Sequence, residues 1–281
     1  MRIATWNVNS LKARLPRVEE WLAQRAPDVL LMQETKLADE AAPDMPFQMA
    51  GYQLAHHGEG RWNGVAIASR VGIADVVTNF GDGPVRRSPG PESATAAIAD
   101  AIEAEASVAP GDEARMISAV CGGVRVVSIY APNGRALDTP FYRAKLAWFD
   151  RLARWLRETQ DPAGSLVVGG DFNVAPEDMD VYDPRDFAGA THVSAPEREA
   201  VATLRDWGLV DAYRLHHPEP GKFSWWDYRA GNFHKGLGMR IDHLYATRSV
   251  AARCTAAEID RDARKGQLPS DHAPVYIDLA D

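Results

Sequence analysis

The chain is built from short β-branched or apolar runs, each ending in, or opening from, a carboxylate or an amide. Candidate strands cover residues 2–7, 29–33, 64–69, 116–121, 125–130, 165–169, 241–246 and 274–278. Helical spacing separates them. Pro16 suits a first helical turn, with Val18, Trp21 and Leu22 on one face before Pro27. A second helix is expected over 140–159, with Phe141, Trp148, Leu152 and Trp155 on one side, and a third over 196–207, stopped by Gly208. The tryptophans 21, 148, 155 and 207 read as core. Strands alternating with helices predict an α/β protein.

With 281 residues, 46% of them hydrophobic, the chain can bury a large core, and no linker divides it, so one domain is expected over 1–281. One segment differs: residues 84–111 are rich in Ala, Glu, Pro and Ser and read as a surface insertion. Cys121 and Cys254 provide neither a disulfide framework nor a zinc spacing. The N-terminus has no signal-peptide run, and no apolar stretch approaches membrane length, which predicts a cytoplasmic protein. The formal charge of −8 argues mildly against nucleic acid. Carboxylates screened by cations can nonetheless sit within a local basic rim.

The polar tips carry the chemistry. Residues two apart in a strand share a face, so Asn7 and Asn9 are expected to point together, as are Asp171 and Asn173. Glu34 follows the run Val29–Met32, and Asp242 interrupts Arg240–Leu244. A lone acid at a strand end is ordinarily a cap or a solvated group. Five tips shift the balance. If they converge, Asn7, Glu34, Asp171, Asn173 and Asp271 form a hard, oxygen-rich site suited to Mg²⁺ or Mn²⁺ rather than zinc. His272 follows Asp271 and opens the last strand; oriented by a carboxylate such as Asp242, it could stay cationic beside a phosphate. The other histidines read as structural or exposed.

Seven short motifs occur in order: Trp6-Asn7-Val8-Asn9, Gln33-Glu34-Thr35-Lys36, Trp62-Asn63-Gly64-Val65-Ala66, Tyr130-Ala131-Pro132-Asn133-Gly134, Gly170-Asp171-Phe172-Asn173, Arg240-Ile241-Asp242 and Ser270-Asp271-His272-Ala273-Pro274-Val275. Together they resemble the exonuclease III-type apurinic/apyrimidinic endonucleases, across almost the whole chain. The resemblance implies a four-layer α/β sandwich of two mixed sheets flanked by helices. It implies Glu34 as the main metal ligand, with Asn7 and Asp271 nearby, and Asp171, held by Asn7, as the residue that orients or deprotonates the attacking water. Asn173 would touch the scissile phosphate, Tyr130 would assist there or at the leaving group, and His272, paired with Asp242, would bind a phosphoryl oxygen. A second metal touching Asp171, Asn173 and His272 is left open.

On the substrate side, residues 223–229 and 238–241 resemble the segment that forms an apolar pocket for a flipped, base-less sugar, which places Trp225, Met239 and Ile241 as its lining. Arg229 would reach into the helix, while Lys12, Trp62, Asn133 and Arg135 would contact phosphates. One of Trp225 and Trp226 is expected in the core. His243 departs from the apolar residue usual beside Asp242 and is expected to pack quietly. The implied activity is metal-dependent incision of duplex DNA on the 5′ side of abasic sites, with 3′-to-5′ exonuclease or 3′-end trimming, by a monomer. The alternatives are a phosphatase or phospholipase on the same metal core, and a catalytically idle DNA-binding protein.

Overall fold

A computed structural model describes residues 1–81 and 112–281, so the proposed insertion at 84–111 lies outside the described residues. Among the described residues, twelve strands form two six-stranded sheets. In chain order they are β1 (Arg2–Asn7), β2 (Val29–Gln33), β3 (Gln53–His57), β4 (Val65–Ser69), β5 (Ala74–Thr78), β6 (Met116–Cys121), β7 (Val124–Tyr130), β8 (Leu166–Asp171), β9 (Leu209–Asp211), β10 (Asp242–Thr247), β11 (Cys254–Ile259) and β12 (Val275–Leu279). The first sheet runs β11-β12-β1-β2-β4-β3 and the second β5-β6-β7-β8-β10-β9. Each has one parallel pair near its centre, β1 with β2 and β7 with β8, and the remaining pairs are antiparallel.

Alternation along the strands divides the core into layers. Ile3, Val29, Leu31, Val65 and Ile67 of the first sheet pack against Ile117, Val126, Val167, Leu244 and Ala246 of the second. Their sequence neighbours face outward. Ala4, Trp6, Leu30 and Met32 pack under helix α1 (Leu11–Arg25), and Val127, Val168 and Tyr245 pack under α2 (Pro140–Thr159) and α3 (Ala195–Trp207). The architecture is therefore the expected four-layer sandwich. One polar set at its centre is closed: Gln33 donates to Thr5 and Ser128 Oγ, and Ser128 donates to Met32 O, all near 3.0 Å.

Helices α2 and α3 lie where their spacing predicts. Thr139 caps α2 before Pro140, and a Ser194/Glu197 capping box opens α3. Helix α1 begins earlier than Pro16 suggests: Ser10 accepts from Ala13 N at 3.4 Å, and Pro16 lies inside the helix. Burying Leu11 in the outer core outweighs the one backbone donor that Pro16 lacks. Strands β3, β5, β9 and β11 were not foreseen. Three of them, β3, β5 and β11, are half-exposed and show little alternation, and β9 has three residues. Among the described residues, no helix is long and apolar enough to cross a membrane.

Candidate active site

The parallel pairs set the position of the site, because their C-terminal ends leave the sandwich at one edge. Asn7 ends β1, Glu34 follows β2, Tyr130 ends β7 and Asp171 ends β8. Asp242 opens β10, so Tyr130, Asp171 and Asp242 stand opposite one another on three adjacent strands. The two sheets thus bring together groups far apart in sequence, as open α/β sheets do at strand ends.

Two turns of the same type complete the edge. The Asn7 side-chain oxygen accepts from Asn9 N at 3.0 Å, and Asp171 Oδ1 accepts from Asn173 N at 2.9 Å. Asn9 and Asn173 have left-handed backbones, with φ of 43° and 52°. Asn9 and Asn173 therefore do not share a strand face with Asn7 and Asp171 as expected: turns beyond the strand ends, not the pleat, bring these two residues to the site. Glu34 and Lys36 are left-handed as well, at 52° and 53°, a concentration of costly conformations where polar groups must converge.

The amide of Asn7 holds the centre. Its nitrogen donates to Glu34 Oε1 at 2.8 Å and to Asp171 Oδ2 at 2.9 Å. His272 Nδ1 donates to Asp242 Oδ2 at 2.8 Å, and its Nε2 lies 3.8 Å from Asp171 Oδ2. Burial by itself would depress the imidazole, but Asp242 and Asp171 outweigh it and raise His272 to about 10. Burial, reinforced by Asp242 and Glu34, pushes Asp171 up to about 7 against the pull of His272. Desolvation and the Glu34 carboxylate hold the Tyr130 phenol well above its usual range, while Arg115, 4.8 Å from the ring centre, opposes them. At neutral pH His272 is a cation and Tyr130 a neutral donor.

Glu34, Asp171 and His272 offer ligand atoms within 4.8 Å of one another. The donor set suits a hard cation: Glu34, Asp171, Asp242 and Asp271 outnumber the cations His272 and Lys36, and Asp242 Oδ1 is buried without a hydrogen-bond partner among the described residues. The other expected ligands are engaged. The Asn7 amide is spent on the two carboxylates and Asn9. Asn173 accepts from Asn133 at 3.3 Å and donates to Ala131 O at 3.0 Å. Asp271 accepts from Asn9 at 2.9 Å and from the Trp225 indole at 3.1 Å, outside the trio.

Around this centre, Trp225, Met239 and Ile241 join one apolar cluster; Met239 and Ile241 are buried and Trp225 is half-buried. Trp226 is the core member of the pair, packed with Phe233 and Ala273. Asn133 and Arg135 are exposed on the loop after β7, Lys12 is exposed on α1, and Trp62 is 48% exposed under Arg61. Arg229 is exposed and paired with Asp227 at 2.5 Å. His243 faces away from His272: it donates to Val174 O, meets Arg240, and is pushed down to about 4 by burial and by that guanidinium.

Sequence reading missed the support beneath Asn133 and Asn173. Lys145 on α2 is fully buried and donates to Asn173 O at 2.7 Å, Asn133 O at 3.3 Å and Glu197 Oε1 at 2.5 Å. His192 donates to Asn173 O at 2.5 Å, its ring held to about 4 by burial and by Lys145. The motif Ser194-x-x-Glu197 signals a helix start, but nothing in it signals that Glu197 also binds Lys145.

The chain is similar to known proteins over nearly its whole length. Residues 4–272 match the model of the Endonuclease/Exonuclease/phosphatase family. The chain is 30% identical to the exodeoxyribonuclease III of Haemophilus influenzae, over 99% of this chain and all of that one. Among solved structures it is similar to an AP endonuclease from Archaeoglobus fulgidus, at 34% identity, and to a 3′-5′ exonuclease from Neisseria meningitidis, at 38%. Both superpose with a TM-score of 0.86 and cover 99% of each chain. With its strand ends carrying this cluster and its whole length matched, the chain belongs to the endonuclease/exonuclease/phosphatase family.

Proposed function

We propose that the protein is a metal-dependent DNA repair nuclease that hydrolyses the phosphodiester 5′ to an abasic site in duplex DNA and trims 3′ ends. The observation that carries this reading is the Asn7 amide bridging Glu34 and Asp171 beside the Asp242-His272 pair. Glu34 and Asp171 would hold a Mg²⁺ ion, with Mn²⁺ as a substitute, which would supply Lewis-acid neutralisation of phosphate charge. The remaining roles belong to the chain. Asp171, aimed by Asn7, orients the attacking water and accepts its proton. The His272 imidazolium, fixed by Asp242, donates from Nε2 to a phosphoryl oxygen as charge grows there. Asn173, anchored through its own backbone, meets the scissile phosphate, and the neutral Tyr130 phenol donates toward the leaving oxygen. Asp271 orients Asn9 and Trp225 at the edge of the site.

Trp225 leads the base-less sugar to Met239 and Ile241, an apolar surface too small for a base. Lys12, Trp62, Asn133 and Arg135 contact the backbone, and Arg229 exchanges Asp227 for the duplex. Likeness to DNA enzymes over the full chain favours this reading over a phosphatase of other esters or an idle binding protein. The protein acts as a monomer in the cytoplasm.

The test is incision of a labelled duplex carrying one abasic analogue, beside an undamaged control, with Mg²⁺ and with EDTA. Metal-dependent cleavage immediately 5′ to the lesion is expected. Asp171→Asn and His272→Ala should each lower the rate by about 10² to 10⁴ while remaining folded; near wild-type cleavage by either would remove that residue from the mechanism. A second reading gives 3′-end processing the larger share. It is favoured by the likeness, at 37% identity, to a Neisseria 3′ phosphatase solved with product DNA hairpin. Faster turnover of a 3′-phosphate at a nick than of the abasic duplex would select it.

A further inference from the structure

On the side of the site formed by the first sheet, two guanidiniums have neutral hydrogen-bond partners among the described residues, with the Asp271 carboxylate acting on Arg264 from beyond ion-pair distance. Arg14 on α1 donates to Asn9 O at 2.6 Å and to the Tyr228 hydroxyl at 3.1 Å, and its Nε is buried without a partner. Arg264, only 6% exposed, donates to Trp226 O at 3.2 Å and lies 5.0 Å from the Tyr228 ring centre; its Nε is likewise buried and unpartnered. Neither forms an ion pair among the described residues. Other arginines do: the partly buried Arg25 with Asp260 and Arg115 with Glu113, and the fully buried Arg240 with Asp180 and Asp211. Withholding the Arg264 guanidinium from water with no carboxylate at ion-pair distance is unfavourable, and the half-exposed Arg14 stands beside it at Tyr228. In a chain of net charge −8, such a pair reads as a site awaiting its anion.

The position says which anion. Tyr228, 50% exposed, joins the two arginines and donates to Pro269 O at 2.8 Å, two residues before Asp271. Asn9, which accepts from Arg14, donates to Asp271. The pair therefore stands one hydrogen-bonded step from the catalytic edge, whose other side carries Asn133 and Asn173 on the loops that follow strands β7 and β8 of the second sheet. We infer that Arg14, Tyr228 and Arg264 form a subsite for a DNA backbone phosphate neighbouring the one that is cleaved. This rests on the reading of duplex DNA as substrate. A guanidinium suits the role, since its planar donors match phosphate oxygens and it is weakly hydrated. The competing explanation is that Arg264 only packs between Tyr228 and Phe233, where its guanidinium lies 5.1 Å from the Phe233 ring centre.

Salt dependence separates the two. Each phosphate contact releases counterions and adds about 0.9 to the slope of log affinity against log salt. Binding is measured by fluorescence anisotropy on a duplex carrying an abasic analogue and a phosphorothioate at the incision linkage, in Mg²⁺ over a series of KCl concentrations. Arg14→Gln and Arg264→Gln are each expected to reduce the slope by about 0.9 and to weaken binding on the order of tenfold at low salt. Arg70→Gln, a control at the opposite end of the first sheet where Arg70 pairs with Asp28, should leave the slope unchanged. Should Arg264→Gln fail to fold, the half-exposed Arg14 decides alone. Normal wild-type binding with unaltered slopes in the folded variants would overturn the subsite and leave the substrate class standing. Failure of the wild-type protein to bind duplex DNA would overturn both.

Discussion

His272 owes its charge to its neighbours, and stability should depend on that charge. Its folded value of about 10 lies above the ordinary 6.5, so the native state holds a proton that the unfolded chain gives up first. The contribution is therefore complete below about pH 6.5 and disappears as pH rises through about 10. In EDTA, the melting temperature of the wild-type protein should fall between these limits, and the fall should flatten in His272→Gln, which keeps a donor toward Asp242 without a titrating group. Parallel declines in the two proteins would mean that the pair does not carry the proton. The residue types at this site were legible in the sequence because phosphodiester chemistry needs acids, amides and one orientable imidazole. The family resemblance also implied that Asn7 holds Asp171; the second bond of the Asn7 amide, to Glu34, and the engagement of Asp271 by Asn9 and Trp225 were not legible, because they depend on distances between strands.

The same contrast holds for elements. Helix α2 was legible from end to end: Thr139 caps it, Pro140 starts it, and its apolar spacing is unbroken. Lys145 falls on that same face, three residues before Trp148, but its charge argued for solvent; it points instead into the protein, where α2 and α3 close around the Asn133 and Asn173 loops. Burial lowers the Lys145 pKa against the pull of Glu197, and burial likewise works against Glu197, whose pKa Lys145 nevertheless brings down. Lys145→Met should destabilise by about 3–5 kcal/mol, because it strands a buried carboxylate. The double variant Lys145→Met/Glu197→Gln should recover much of that loss. Urea unfolding of both checks this, and equal losses in the two would show that helix packing rather than the charge pair is at stake. The unforeseen strands failed for a different reason: Ala74–Thr78 and Cys254–Ile259 lack the alternation of a half-buried strand, so their pairing partners define them.

For the whole molecule, the decisive contact is between the sheets, and Gly169 marks how close it is. A Cβ there would lie 2.5 Å from Leu244 Cδ2 and 2.8 Å from Leu31 Cδ1 of the opposite sheet. Gly169→Ala should therefore overpack the interface and cost about 1–3 kcal/mol in urea unfolding; a neutral substitution would mean that the sheets separate more easily than their packing implies. The chain by itself determined which segments are strands or helices in the core, which residue types could handle a phosphate, and, through seven ordered motifs, the family. Those are properties of local spacing and chemical identity. Only the tertiary structure decided that Tyr130, Asp171 and Asp242 align across three strands, that Lys145 anchors the Asn173 turn, and that Arg14 and Arg264 meet at Tyr228. These juxtapositions join residues up to 250 positions apart, from 14 to 264, which local patterning does not encode and the packing of two sheets does.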